Sequence, residues 1–335
     1  MMICNEAILV VKRNWLFNFL HKLGNKQEGR NKQKKRVNSS SARIIAGSRS
    51  PLKMSLTKGL LLIPIGLSFC FGAIPVSAQA LLPYTLKLDN ATLEKQGLLL
   101  AQDAAKLIAF EQYDLAFPRA KLATQLAPDL FQTWFILGNL YLEKEEYNQA
   151  IAALETARRL APDEEGILFT LGSSYFRQGN YRAAVSNIQA GLRKRPEAPE
   201  ALFDLGNAYL KLGQYSRSIA SYQKAIELEA QFWPAINNVG LVKYERGDIE
   251  GAIERWETAL KIDKEQPEPE LALAVAFFTK GQRQKAIELG KAALGRDARY
   301  GDLEFLRENL WGDRLMADTK VFFAIPQINA LIPSD

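Results

Sequence analysis

Histidine and cysteine supply most protein nucleophiles, general bases and metal ligands, and this chain of 335 residues holds only His21, Cys4 and Cys70. All three precede Gln79. The rest of the chain is therefore expected to lack Cys/His zinc sites, thiol nucleophiles, Ser-His-Asp triads and disulfides. It also has no G-x-x-x-x-G-K-[ST] phosphate loop and no G-x-G-x-x-G turn after a strand. Carboxylates are what remains. Glu143, Glu145 and Glu146 form one cluster and Asp163, Glu164 and Glu165 another. A pair of acids could hydrolyse a bond by proton transfer. Their setting argues against it, because acids in a first helical turn offset the helix dipole and others form a solvated face. We expect no catalytic residue, no metal and no cofactor.

The elements that would position any site follow from a periodicity. Trp134, Leu137, Gly138 and Tyr141 open a pattern that returns 34 residues later as Leu168, Leu171, Gly172 and Tyr175, and again as Leu202, Leu205, Gly206 and Tyr209. With Phe131 as repeat position 1, the other repeats begin at Gly97, Glu165, Pro199, Trp233 and Pro267. Position 8 holds Ala104, Gly138, Gly172, Gly206, Gly240 and Ala274, and position 20 holds Ala116, Ala150, Ala184, Ser218, Ala252 and Ala286. Small residues at fixed places let two antiparallel helices approach closely. Leu154, Ile188, Tyr222 and Trp256 at position 24 fill the seam. Gly179, Gly213, Gly247 and Gly281 at position 15 predict the turn between helices, and Pro128, Pro162 and Pro196 at position 32 end the second helix.

This array resembles the tetratricopeptide repeat family, whose pattern is W-x2-L-G-x2-Y, then A-x3-F, then P. The resemblance covers Gly97 to Tyr300 and is strongest in units 2 to 4. In the outer units Ala230, Lys264 and Ala298 replace the proline, Lys243 replaces the tyrosine, and Asp103 stands where leucine is expected. It implies an all-α, right-handed superhelical solenoid of about six helix-turn-helix units with a C-terminal capping helix. The units are 97–130, 131–164, 165–198, 199–232, 233–266 and 267–300, preceded by a linker and helix start at 81–96 and followed by a cap and tail at 301–335. Such solenoids mostly bind other proteins.

The resemblance also implies that first helices line a groove, with positions 2, 5, 9, 12 and 13 facing it. Those and neighbouring places name a peptide-binding set: Phe135, Phe169, Phe203 and Asn237 at position 5, Asn238 at position 6, Asn139, Ser173 and Asn207 at position 9, and Arg177 and Lys211 at position 13. Asparagine amides can hold an extended backbone and phenylalanines supply contact area. The alternative is that these aromatics fill space between helices. Position 2 reads Leu98, Gln132, Gly166, Glu200, Pro234 and Glu268, and positions 5 and 6 carry no base either. The carboxylate clamp by which some members of the family hold chaperones is therefore not expected.

Charge divides unevenly along the chain. Residues 1–53 hold twelve Lys and Arg against Glu6 and Glu28, a net +10 within a whole-chain +6, so the remainder is −4. The basic excess is thus a leader and not a nucleic-acid face on the repeats. Residues 54–80 read as a signal peptide: Lys58, the apolar stretch Leu60 to Ala73, and small residues at Val76-Ser77-Ala78 or Ala78-Gln79-Ala80. Uncleaved, Leu60–Val76 would be a membrane anchor. Either Met54 is the true start, or residues 1–53 are a transit segment and 54–80 a second signal for a thylakoid lumen. Both send the repeats across a membrane, to a periplasm or lumen.

At the other end, Leu303, Leu306 and Leu310 keep helical spacing for a cap. The run Val321–Ile325 is expected either to complete that cap or to form an exposed apolar tail for a membrane protein. The combined expectation is a non-enzymatic scaffold or assembly factor similar to exported cyanobacterial and plastid members of the family, with protein partners in a membrane complex or the envelope, some such proteins assisting photosystem assembly. The alternatives are an accessory subunit of a cell-envelope enzyme or of pilus or cell-wall machinery and, more remotely, a hydrolase using acids alone.

Overall fold

The computed structural model describes residues 89–332, which form fifteen α-helices, one short 3-10 helix and, among the described residues, no strand. The expected leader (1–53), signal or anchor (54–80) and the first half of the linker lie outside these residues, as do His21, Cys4 and Cys70. Among the described residues no helix is long and apolar enough to cross a membrane.

Twelve helices form six antiparallel pairs: α1 (Asn90–Ala109) with α2 (Tyr113–Leu126), α3 (Phe131–Glu143) with α4 (Tyr147–Leu160), α5 (Glu165–Arg177) with α6 (Tyr181–Lys194), α7 (Pro199–Lys211) with α8 (Tyr215–Leu228), α9 (Trp233–Glu245) with α10 (Ile249–Ile262), and α11 (Pro267–Thr279) with α12 (Arg283–Arg296). Every first helix after α1 starts on repeat position 1 and ends on position 13. Each second helix packs in turn on the next first helix, and the first helices of units 1 to 4 also touch one another, which makes them a continuous face.

Local chemistry sets these boundaries. Pro199 and Pro267 open their helices, where a missing N–H costs nothing. Asn180 and Asp248 cap α6 and α10 by accepting from the Ala183 and Gly251 amides. Gly179 ends the turn after α5 at φ 85°, yet units 1 and 2 reach the same left-handed conformation with Glu111 and Glu145, at φ 58° and 60°. Those two acids occupy a backbone that glycine adopts at lower cost.

The position 8 glycines work as expected of small residues at a helix contact. A Cβ on Gly138, Gly172, Gly206 or Gly240 would meet Leu154, Ile188, Tyr222 or Trp256 at 2.6, 2.4, 2.4 and 2.5 Å. The large residue of the second helix therefore lies directly over the glycine of the first.

The last pair departs from this rule. Position 24 of unit 6 is Gly290, and the space over it is taken by Phe322 from beyond the repeats. After α12 come a 3-10 turn (Ala298–Gly301), α13 (Leu303–Glu308), α14 (Asp313–Phe323) and α15 (Pro326–Asn329). Phe322, Phe323 and Ile325 are buried, and Val321 and the small Ala324 are the exposed residues of that run. The reading of Val321–Ile325 as an exposed apolar tail is thereby corrected: the seam of unit 6 lacks its own large side chain, and the tail supplies it.

Candidate partner-binding groove

Five of the ten groove residues inferred from sequence are interior. Phe135, Phe203, Asn207, Asn237 and Asn238 are all buried. Position 5 turns toward its own second helix instead of outward. Phe203 packs against Tyr222 and Phe232, with ring centroids 5.6 and 5.4 Å away. Phe169, half-buried, lies over Gly191 at position 27, where an added Cβ would stand 2.4 Å from its ring. Arg195 covers its outer side at 5.2 Å. The space-filling alternative thus describes these phenylalanines.

The asparagines form a polar knot between units 4 and 5. Asn207 Oδ1 accepts from the Tyr222 hydroxyl at 2.7 Å and from Asn238 Nδ2 at 3.0 Å. Asn237 Nδ2 donates to Asn238 Oδ1 at 3.2 Å, and the Asn237 carbonyl accepts from Trp256 Nε1 at 3.2 Å. These buried amides join two repeats in register, and the one acceptor among them left without a partner, Asn237 Oδ1, is itself buried.

The other five stay within reach. Asn139 is half-buried, with Nδ2 donating to the Phe135 carbonyl at 2.8 Å. Ser173, also half-buried, donates to Asp204 Oδ2 of the next unit at 3.0 Å. Phe169 and Arg177 are half-buried and Lys211 is exposed. Arg177 makes no ion pair or side-chain hydrogen bond among the described residues, and Lys211 contributes only a 3.5 Å contact to the Arg307 carbonyl. Of the acid clusters, Asp163 pairs with Lys194 at 2.5 Å, and no group of three or more His, Cys, Asp and Glu among the described residues is placed to hold a metal.

A feature the sequence reading missed lies at units 5 and 6. Helix α14 packs across the first helices of both units, on the places that were expected to receive a partner. Glu245, at position 13 of unit 5, caps it, accepting from the amides of Arg314 at 3.2 Å and Leu315 at 3.0 Å. Tyr244 at position 12 donates to Asp318 Oδ2 at 2.7 Å. Phe322 pairs with Phe278, the position 12 residue of unit 6, with centroids 5.5 Å apart. Trp311 donates to Glu268 Oε1, at position 2, at 3.2 Å. The Tyr244 phenol is pushed well above its ordinary pKa, first by burial and further by the Asp318 carboxylate, so it stays a donor. The sequence did carry a sign of this cover. Pro267 to Phe277 are all buried, and Leu271-Ala-Leu-Ala-Val-Ala-Phe277 has no polar face to turn to water.

Two family models match the chain: one of the tetratricopeptide repeat over residues 169–234, and one of the TPR repeat over 138–179 and 240–281. The chain is a tetratricopeptide repeat protein. Among solved structures, PilF of Pseudomonas aeruginosa matches this tetratricopeptide repeat protein with a TM-score of 0.55 and 14% identity, over 65% of this chain and 98% of that one. The Cut9–Hcn1 hetero-tetramer of the APC/C matches at 0.55 and 17%, over 66% and 44%. YrrB, described as a TPR protein with an unusual peptide-binding site, matches at 0.46 and 19%, over 56% and 93%. At these identities the likeness is one of fold alone. No curated protein matches the chain.

On the repeat face of this tetratricopeptide repeat protein, position 12 forms an apolar stripe of Leu142, Phe176, Leu210, Tyr244 and Phe278. Tyr244 and Phe278 are covered by α14. Phe176 and Leu210 are half-buried and pack against the edge of the cluster that the tail completes. The stripe is thus covered at its C-terminal end, while Leu142 is buried and Phe176 and Leu210 stay half-buried in units 3 and 4.

Proposed function

We propose that this protein is a non-catalytic scaffold or assembly factor that holds a segment of a protein partner against the first helices of units 2 to 4. One observation carries the reading: the same face, at units 5 and 6, already holds an 11-residue helix of the chain itself. Its mode of attachment combines an apolar stripe at position 12 with polar groups at position 13, and the stripe continues uncovered into units 3 and 4. Helix-in-groove binding uses this kind of surface.

We further propose that the protein acts across a membrane, in a periplasm or thylakoid lumen, on subunits of a membrane complex such as a photosystem. Support for this part comes from the signal-like residues 54–80 and from no feature of the repeats.

Photo-crosslinking in the native membrane tests the scaffold reading. A crosslinker at Asn139 or Ser173 is expected to capture subunits of a membrane complex, whereas one at exposed Glu257 on a second helix is not. Capture from Glu257 alone would overturn the groove. Mass spectrometry of the mature N-terminus is expected to find Gln79 or Leu81, and recovery of residues 2–53 on the exported protein would refute Met54 as the start.

A further inference from the structure

Charge along the face changes where α14 stops. Position 13 reads Ala109, Glu143, Arg177, Lys211, Glu245 and Thr279 through the six units. At unit 5 the acid Glu245 receives the positive end of α14 through its two amide contacts. One and two units earlier the same place carries Lys211 and Arg177. Neither has a carboxylate partner among the described residues, and each stands beside a half-buried apolar residue, Leu210 or Phe176.

The tail adds a third cation to this corner. The Arg307 carbonyl touches Lys211 Nζ, and its guanidinium points back to Glu304 at 3.0 Å. Although its side chain reaches solvent, partial desolvation of the ammonium and then the neighbouring Arg307 charge hold Lys211 below its ordinary pKa. Arg177 and Lys211, one repeat apart and without carboxylate partners among the described residues, form a site that a carboxylate would complete, beside an Arg307 already paired with Glu304.

We propose that the corner formed by Phe176, Arg177, Leu210, Lys211 and the tail residue Arg307 binds a partner segment in which acidic residues alternate with apolar ones. The apolar side chains seat on the uncovered part of the position 12 stripe. The carboxylates meet Arg177 and Lys211, with Arg307 contributed by the chain's own cap. The tail would thus have two roles: it fills the groove at units 5 and 6, and it builds the wall at which the partner segment ends. Recognition by charge sets which segment is accepted and how fast it arrives more than how tightly it is held. The inference rests on the scaffold reading above and names the class of segment that the groove takes.

The test uses the full chain and three sets of short fluorescent peptides with a common Phe/Leu pattern, carrying Asp/Glu, Asn/Gln or Lys/Arg between the apolar residues. Anisotropy at low salt is expected to favour the acidic set over its amide counterpart by about tenfold, and the preference should fade as salt rises. The double variant Arg177→Glu/Lys211→Glu should lose the acidic set and gain the basic one. Arg177→Gln/Lys211→Gln should remove the preference without reversing it. Circular dichroism on each variant confirms that the helices persist. Binding that depends on Phe176, lost in Phe176→Ala, yet is indifferent to peptide charge, would overturn the inference and leave the scaffold reading standing. Binding by no peptide of any set would overturn both.

Discussion

Phe322 offers a sharp test of how the last repeat is completed. In units 2 to 5 the residue at position 24 covers the small residue at position 8. In unit 6 the place is Gly290, and an added Cβ there would stand 2.6 Å from Phe322 Cζ and 3.1 Å from Ile328 Cδ1. Phe322 is fully buried and pairs with Phe278. Phe322→Ala should therefore cost about 3–5 kcal/mol, the usual loss for a large aromatic removed from a core. Gly290→Leu in the native background should cost about 1–3 kcal/mol by overpacking. Combined, the introduced leucine can enter the hole left by the phenylalanine, as Leu154 covers Gly138. The double variant should then be more stable than the sum of the single losses by at least about 1 kcal/mol. Urea unfolding followed by circular dichroism measures the totals. Because repeats couple mainly to neighbours, amide exchange should quicken in α11, α12 and α14 and change little in α3 to α6. A loss below about 1 kcal/mol for Phe322→Ala would refute the idea that the tail completes unit 6, since a fully buried ring cannot be removed so cheaply. Equal damage from Gly290→Leu in both backgrounds would refute it as well.

Other outcomes follow from the same geometry. Glu245→Ala removes the cap of α14 and should cost about 0.5–2 kcal/mol, with faster exchange at the Arg314 and Leu315 amides as the local readout. Phe203→Ala should destabilise by about 3–5 kcal/mol in urea titration, because the ring is core and not contact surface. Glu270, buried beside Arg296, has its carboxyl pKa raised because burial outweighs the arginine's attraction. Arg296 keeps the second acid Glu265, which helps to raise its own pKa, so its shift does not measure the worth of the Glu270 pair. A raised folded value means that Glu270 stabilises most below the ordinary 4.5, and that this contribution is lost as pH rises through the raised value. Glu270→Gln should therefore remove the fall in stability between the ordinary 4.5 and the raised value and leave the protein at least as stable at neutral pH, read by thermal melts across pH.

The helix boundaries were legible because each depends on residues close in sequence. A glycine able to turn left-handed, a proline at a helix start and a small residue under a large one repeat at a fixed interval. Glu111 and Glu145 stand at position 15 where later units carry glycine, and the surrounding turns hold the acids in the left-handed conformation. The groove was half legible. Asn139, Ser173, Arg177 and Lys211 are reachable, whereas Phe135 and Phe203 face inward. Their direction depends on how closely the second helix approaches, and that is set by the small residues Ala157 and Ala225, each more than 20 residues away. Asn207, Asn237 and Asn238 looked like ligands singly, and only their mutual contact across two units shows that they are interior.

For this chain, sequence alone determined the repeat, its register and the absence of histidine and cysteine from the repeats, because these depend on residue type and spacing. Tertiary structure decided which side of each first helix meets water. It also placed α14 on units 5 and 6, with Phe322 in the gap that Gly290 leaves. No period could foretell that contact, since the tail lies outside the repeat and its partners come from several units. What it covers, and the cations it leaves uncovered, define the face open to a partner.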